Sequence, residues 1–441
     1  MTYQTTKSKE IEERARKLIP GGIMSNFKKE EGYHPVFMTH GQGAKLYDVD
    51  GNEYIDYALS MGPAILGHNN QHLIQAVEKQ VRSLYTGETT ELTTMAAHKI
   101  SQHVPSLELL RFTTSGTDAN INALRVARGY NGKNMFVKFN GHYNGGSDDI
   151  LGGVVHDPEI PIPVAGELKK DFWSQIVNTE GRAGHAFKDC YMVEWNDLAV
   201  LEKLFEQYGN DIAAVLMEPV MVNVCGCTPE PGYLEGVREL CTHHQIVLIF
   251  DEVLTGFRMG LGGAQGSFGV IPDMTTFAKA LGGGMPVAAF GGKREIMDTL
   301  TRTDVVVGGT YNSHPVSMAA VIATIEELER DEGAAYRQIE KMGMMLKNGL
   351  DEIAKDRNVN LLLQGFPGAW TWSFTDKEKL INLKAVIEDA DMPRSAIFGT
   401  LLKEKGVLTS FRFCTSMAHT EADVQETLNR ADDVLKEMQK M

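Results

Sequence analysis

The chain has 441 residues, 43% of them apolar and 23% charged, a composition that excludes a disordered or fibrous protein and leaves ample chain for a large core. Its 43 basic and 58 acidic residues give a formal net charge of −15. Such a surface repels phosphate backbones and anionic lipid, which argues against nucleic-acid and membrane-surface partners but not against a local cationic pocket for a small anion.

From the N-terminus, Met1–Glu10 has neither the basic start nor the apolar core of a secretory signal, so a cytoplasmic enzyme is expected. Lys7–Leu18 has the spacing of an amphipathic helix ending before Pro20, and Gly43–Tyr57 alternates apolar and polar residues around Asp50-Gly51-Asn52, as a hairpin does. Leu109–Thr113 reads as a strand, followed by Ser115-Gly116-Thr117 and a helical pattern over Ala119–Tyr130. Met135–Phe139, Ala213–Met217 and Ile246–Phe250 read as further strands; between the last two, Tyr233–His243 sets Leu234, Val237 and Leu240 on one helical face. Strands alternating with helices predict a mostly parallel sheet covered by helices. Beyond His314-Pro315, helical patterns run over Val316–Arg330, Ala335–Lys355 and Glu421–Met441. The expected organisation is an N-terminal segment, 1–65, a large α/β domain, 66–314, and a C-terminal portion, 315–441, with the two ends building a smaller α+β domain. Even the most apolar stretches, Ile212–Met217 and Ile246–Phe250, are far shorter than a bilayer requires.

The cysteines, Cys190, Cys225, Cys227, Cys241 and Cys414, are sparse and odd in number, which speaks against a disulfide scaffold. Cys225-x-Cys227 lacks a further Cys or His cluster, so no metal is expected. The informative set is elsewhere. Asp251 stands at the carboxyl end of an apolar strand, where α/β sheets bind ligands. Lys279 stands among small and apolar residues; burial there lowers an amine's pKa and makes it nucleophilic toward a carbonyl. Ser115-Gly116-Thr117 offers hydroxyls and N–H groups at a helix start, the ingredients of a phosphate cup. Tyr143 supplies a ring able to stack on a planar ligand. Each has a plainer reading: an N-cap pair at Asp251-Glu252, a solvated lysine, a capping serine and a packing aromatic. Together they point to pyridoxal 5'-phosphate (PLP), whose ring nitrogen a buried Asp can keep protonated.

The chain resembles a class III PLP-dependent aminotransferase, within it the subgroup of the glutamate-1-semialdehyde 2,1-aminomutases. The resemblance runs from about Ile11 to Lys436. It is carried by Ile19-Pro20-Gly21-Gly22, by Gly43 through Tyr57, by Thr114-Ser115-Gly116-Thr117-Asp118-Ala119, and by Met217-Glu218-Pro219-Val220. Phe250-Asp251-Glu252-Val253 and Lys279 with Gly282-Gly283-Gly284-Met285-Pro286 complete it. It implies the fold type I architecture of PLP-dependent transferases, with a seven-stranded-type sheet. It implies that Lys279 bonds the cofactor covalently and carries protons, that Asp251 pairs with the ring nitrogen, and that Ser115, Gly116 and Thr117 hold the phosphate. Tyr143 and Val253 would cover the two ring faces, and Asn223 would approach the phenolic oxygen. Thr310 would reach the phosphate in the neighbouring subunit of a homodimer.

The chain also departs from the subgroup. Lys28 stands where an arginine grips the substrate carboxylate, with Ser25 nearby as a further substrate candidate, and a point-charge ammonium does not reproduce the bidentate fork. Asn144 replaces the histidine of Tyr-His-Gly, the stretch between Asp157 and Tyr191 is longer than the usual gating loop, and Phe411-Arg412-Phe413 occupies a place where the subgroup carries an acid. Arg412 reads either as a carboxylate clamp or as a surface or interface arginine between two core phenylalanines; Phe27, Tyr33, Phe411 and Phe413 read either as pocket or as core. The expected activity is ping-pong transfer of an amino group between a carboxylate-bearing amine, such as a β-amino acid, and a keto acid. The alternative is the aminomutase reaction, an intramolecular exchange giving 5-aminolevulinate. A dinucleotide oxidoreductase is disfavoured because Gly260–Gly266 misses the G-x-G-x-x-G spacing and follows no clear strand. A non-catalytic relative is the remote alternative, and it has no need of Lys279 or Asp251.

Overall fold

Seven strands form the central sheet of the computed structural model, which describes residues 3–26, 36–152, 179–183, 186, 188–302 and 305–441. Their order is Leu109–Thr113, Ala288–Gly292, Met274–Phe277, Val247–Glu252, Ile212–Met217, Met135–Phe139, Cys190–Val193. Ala288–Gly292 runs antiparallel to both its neighbours and the remaining pairs are parallel. The sheet is thus mostly parallel, as the alternation of strands and helices predicts.

Period-2 geometry decides what each strand residue meets. In Val247–Glu252 every residue is buried. Leu248 and Phe250 pack with Trp195, Leu204, Leu234 and Val237 beneath the helices Leu198–Tyr208 and Tyr233–His243. Val247 and Ile249 point to the other face, against Ala119, Ala123 and Leu124 of the helix Gly116–Asn131. That helix ends where Gly132, at φ +72°, supplies the left-handed residue that closes the last turn. The strand's next two residues, Asp251 and Glu252, inherit these opposite faces.

The chain ends meet in two smaller sheets. Lys45–Asp48 and Glu53–Asp56 form the expected hairpin, its turn held by Asp48 Oδ1, which accepts from the Asp50 and Asn52 N–H groups at 3.0 and 2.8 Å. Two strands join it that periodicity did not reveal. Met38–Gln42 pairs antiparallel on one side, and Val407–Leu408, from the far end of the chain, pairs parallel on the other. Leu361–Phe366, Ala369–Phe374 and Phe413–Cys414 make an antiparallel three-stranded sheet. The helical stretch Pro315–Asp356 is broken at Arg330–Gly333, where Asp331, Glu332 and Gly333 are left-handed, so it acts as the two helices the sequence suggests. Its first half packs under the large sheet through Met318, Val321 and Ile325, and its second packs through Met342, Leu346 and Leu350 against Tyr57, Trp372, Phe413 and Val424. All five cysteines are free and buried. Among the described residues no helix is long and apolar enough to cross a membrane.

Candidate active site

The carboxyl end of the Val247–Glu252 strand presents two buried carboxylates with different surroundings. Glu252 turns toward the short helix Gly263–Phe268, where it accepts from the N–H groups of Ala264 and Gln265, the Gln265 amide and the Thr255 hydroxyl. It is consumed by holding that helix start. Asp251 turns toward the helix Gly116–Asn131. Its Oδ2 accepts from Asn120 Nδ2 at 2.7 Å and Asn144 Nδ2 at 2.8 Å, and its Oδ1 from the Val253 N–H at 3.0 Å. Burial raises the Asp251 carboxyl above the usual range, while these hydrogen bonds pull it back down.

Lys279 follows the strand Met274–Phe277 and opens the turn Lys279–Gly282. Its φ of +45° is uncommon for a residue with a Cβ. Gly62 lies alongside: a Cβ there would be 3.8 Å from Lys279 Cδ. Burial and then the Arg412 guanidinium pull the Lys279 amine down to about 8, against the opposing pull of Glu218 and Asp251. Glu218, at the end of the Ile212–Met217 strand, is raised to about 8 by burial and Asp251, and it accepts from the Tyr143 N–H at 2.6 Å. Lys279, Asp251, Glu218 and Arg412 therefore form one electrostatic unit.

Arg412 is buried, only 5% exposed. It donates through Nη1 to Asn223 Oδ1 at 3.0 Å and through Nη2 to the Met61 carbonyl at 3.1 Å, while Nε has no partner. The surface reading of this residue is thus corrected. Phe413 is core, whereas Phe411 is 49% exposed and at φ +56°. The Met61 carbonyl is delivered by a turn in which Leu59, Ser60, Met61 and Gly62 all have positive φ. A second buried guanidinium, Arg258, braces the same turn through the Gly62 carbonyl and ties it to those of Gly368 and Thr415.

The phosphate-cup candidates lie at the start of the helix Gly116–Asn131. The first intrahelical bond runs from the Ala119 N–H to the Ser115 carbonyl at 3.0 Å, so the Gly116 and Thr117 N–H groups precede the helix's own bonding. The Ser115 hydroxyl donates to Asp118 Oδ2 at 2.8 Å and accepts from the Asp118 N–H, so the cup rests on backbone rather than on that hydroxyl. Thr117 Oγ1 accepts from the Gly146 N–H at 3.1 Å. Two glycines let the walls around the cup pack closely. A Cβ on Gly116 would lie 2.8 Å from Val253 Cγ2, and one on Gly145, at φ +134°, 2.7 Å from Thr117 Oγ1.

Asp251, Lys279, Val253, Tyr143, Asn223, Arg412 and Ser115–Thr117 thus come together at the strand ends. Thr310 is exposed and joins none of these contacts, its carbonyl lying beside Gly87. Ser25 is half-buried. Lys28, Phe27, Tyr33 and most of 157–191 lie outside the described residues. Three participants went unassigned in the sequence: Asn120, which holds Asp251; Glu218; and Lys138, fully buried on the strand Met135–Phe139. A lysine inside an apolar strand is itself a signal, because such a charge is almost never buried without a partner.

The class-III aminotransferase family model matches residues 27–435, and the chain belongs to that family. Its fold is the type I fold of PLP-dependent transferases, and its cofactor is pyridoxal 5'-phosphate. The chain is similar over 99% of its length to the whole of glutamate-1-semialdehyde 2,1-aminomutase from Desulfitobacterium hafniense, at 37% identity. Glutamate-1-semialdehyde 2,1-aminomutase 1 from Macrococcus caseolyticus is 38% identical over 98% of both chains. Among solved structures, an omega-transaminase from Sphaerobacter thermophilus superposes with a TM-score of 0.88 at 27% identity, covering 98% of each chain. A glutamate-1-semialdehyde-aminomutase from Pseudomonas aeruginosa superposes with a TM-score of 0.87 at 26% identity, covering 98% of this chain and 95% of that one.

Proposed function

We propose that the protein catalyses an intramolecular amino exchange, converting glutamate-1-semialdehyde to 5-aminolevulinate, in place of the two-substrate transamination that the sequence led us to expect first. The observation that carries this reading is the end-to-end similarity, at 37–38% identity, to relatives bearing that activity's name. The site supports the chemistry. PLP supplies an aldehyde carbon that takes up the amino group and a ring that accepts the electron pair released at substrate carbon. Lys279, displaced toward its neutral form, bonds the cofactor and then holds and moves the proton at substrate carbon. Asp251, which among the described residues receives only N–H donors, keeps acceptor capacity for the ring nitrogen. The Gly116 and Thr117 N–H groups, which precede the helix's own bonding, would hold the phosphate with Ser115 at the cap. Tyr143 and Val253 would cover the ring faces, and Asn223, which accepts from Arg412, would serve the phenolic oxygen. Thr310 completes the phosphate site of a second subunit in a homodimer; the exposure of its neighbours Val306 and Tyr311, 73% and 65%, supports a partner surface there.

A second reading is favoured by Arg412. A buried guanidinium within electrostatic reach of Lys279, with Nε unpartnered, suits a carboxylate close to the reacting amine, as in transamination between a carboxylate-bearing amine and a keto acid. Ser25 and Lys28 are the further substrate contacts this reading would call on. One experiment separates the two. Glutamate-1-semialdehyde given alone should yield 5-aminolevulinate over many turnovers. Turnover only when a keto acid is supplied would overturn the aminomutase reading and establish the second.

A further inference from the structure

We propose that Lys138 and Asn144 form a buried charge relay that holds Asp251 ionised, which makes Lys138 a positioning residue for the cofactor's ring nitrogen. The proposal rests on the reading of Asp251 as that nitrogen's partner, and it holds whichever of the two reactions the protein runs.

Lys138 is 0% exposed, inside the strand Met135–Phe139. Its Nζ donates to the His142 carbonyl and to Asn144 Oδ1, both at 2.8 Å. The other end of the same amide, Asn144 Nδ2, donates to Asp251 Oδ2 at 2.8 Å. An ammonium can only donate and a carboxylate can only accept, so the amide has one orientation that serves both. Its oxygen faces the cation and its N–H faces the anion.

The rest of the Asp251 shell selects the same charge state. Asn120 Nδ2 gives Oδ2 a second hydrogen bond at 2.7 Å, and Asn120 is itself oriented by the Thr276 hydroxyl, which donates to Asn120 Oδ1 at 2.7 Å. The Val253 N–H takes Oδ1 at 3.0 Å. Among the described residues every group on the carboxylate is an N–H with no lone pair to offer, so the acid form has no acceptor among them. Burial works the other way, favouring neutral forms of Asp251 and of Lys138, whose amine it lowers to about 8. Opposite charges one amide apart relieve both. Among the described residues Cys190, Glu218 and Arg182 also act on Lys138. His142 is not a rival cation, because burial and Lys138 hold it neutral, with Nδ1 accepting from the Glu218 N–H. Asn144 stands where the resemblance leads one to expect histidine, so the amide bridge belongs to this chain.

The test is the 15N chemical shift of the ring nitrogen in full-length protein reconstituted with PLP labelled at that atom, alongside the affinity of the apoprotein for PLP. In the native protein the ring nitrogen reads as protonated. Lys138→Met should move it toward the unprotonated position and weaken PLP binding roughly 30-fold, the scale of one charge pair about 8 Å apart at an effective dielectric near 20. Lys138→Arg should restore part of both. Asn144→Ala, which leaves the cation but removes the bridge, should shift the resonance the same way and keeps the test decisive if Lys138→Met does not fold. A ring nitrogen that stays protonated in these variants, with unchanged affinity, overturns the relay. Asp251→Asn separates the failures. If it shifts the resonance while the relay variants do not, only the relay is wrong; if it too leaves the nitrogen protonated, the reading of Asp251 falls with it.

Discussion

Replacing Arg412 with methionine should make Lys279 a poorer nucleophile at neutral pH. In the native protein burial and the Arg412 guanidinium hold the Lys279 amine at about 8, while Glu218 and Asp251 oppose them. A like charge several ångströms away, at an effective dielectric near 20, contributes roughly 1–3 kcal/mol. Losing it moves the amine's midpoint roughly 1–2 pH units higher. Only the neutral amine attacks an aldehyde. At pH 7 an amine titrating at about 8 is roughly one-tenth neutral, and one titrating at about 9 roughly one-hundredth. Capture of PLP by the apoprotein at pH 7 should therefore slow about tenfold, and the difference should vanish above about pH 10, where both amines are neutral. Stopped-flow absorbance of PLP mixed with apoprotein, recorded from pH 6 to 10, gives the profile. Superimposable native and variant profiles would refute the electrostatic coupling of Arg412 to Lys279, and a uniform slowing at every pH would assign Arg412 to structure instead.

Other variants probe the remaining parts. Burial and Asp251 raise the Glu218 carboxyl to about 8. The unfolded chain releases that proton near pH 4.3, the ordinary value of about 4.3 for glutamate, so the stability it contributes is complete below that pH and is lost as pH rises toward 8. Glu218→Gln keeps the acceptor for the Tyr143 N–H without titrating, so its Tm relative to the native apoprotein should be higher at pH 9 than at pH 6; an equal offset at both would contradict this. Gly116→Ala places a Cβ against Val253, 2.8 Å from Cγ2, and should weaken PLP retention with little loss of Tm; the double variant Gly116→Ala/Val253→Ala should recover part of it, and no recovery would dismiss the contact. Glu252→Leu strands the Ala264 and Gln265 N–H groups and should cost roughly 3 kcal/mol or more in urea unfolding. A loss near zero would show that Glu252 does not hold that helix start.

Much of this was legible because strand and helix periodicity is local. Leu109–Thr113, Met135–Phe139 and Tyr233–His243 have the same limits in the sequence and in the structure. Asp251 was legible from its place at the end of an apolar run and Lys279 from its small and apolar neighbours; the parallel pairing of Val247–Glu252 with Met274–Phe277 then brings the two together. The elements that stayed hidden depend on distant partners. Met38–Gln42 is mostly exposed and shows no alternation, and the two-residue strand Val407–Leu408 exists only because Glu53–Asp56 offers it an edge. The placement of Arg412 was undecidable for the same reason, since its acceptors, Asn223 and the Met61 carbonyl, lie far off in the chain. Lys138 carried a signal, a lysine inside Met135–Phe139, but its partner Asn144 becomes visible only when the chain turns back at Gly141 with φ +84°.

The central claim is that Lys279 is the amine that bonds the cofactor, and borohydride reduction of the PLP-loaded protein followed by peptide mass mapping tests it most directly. The account predicts one phosphopyridoxyl group per chain on Lys279, and none on Lys138 although its amine is also drawn down to about 8. A label on another lysine, or protein that binds PLP yet carries no label at Lys279, would contradict it.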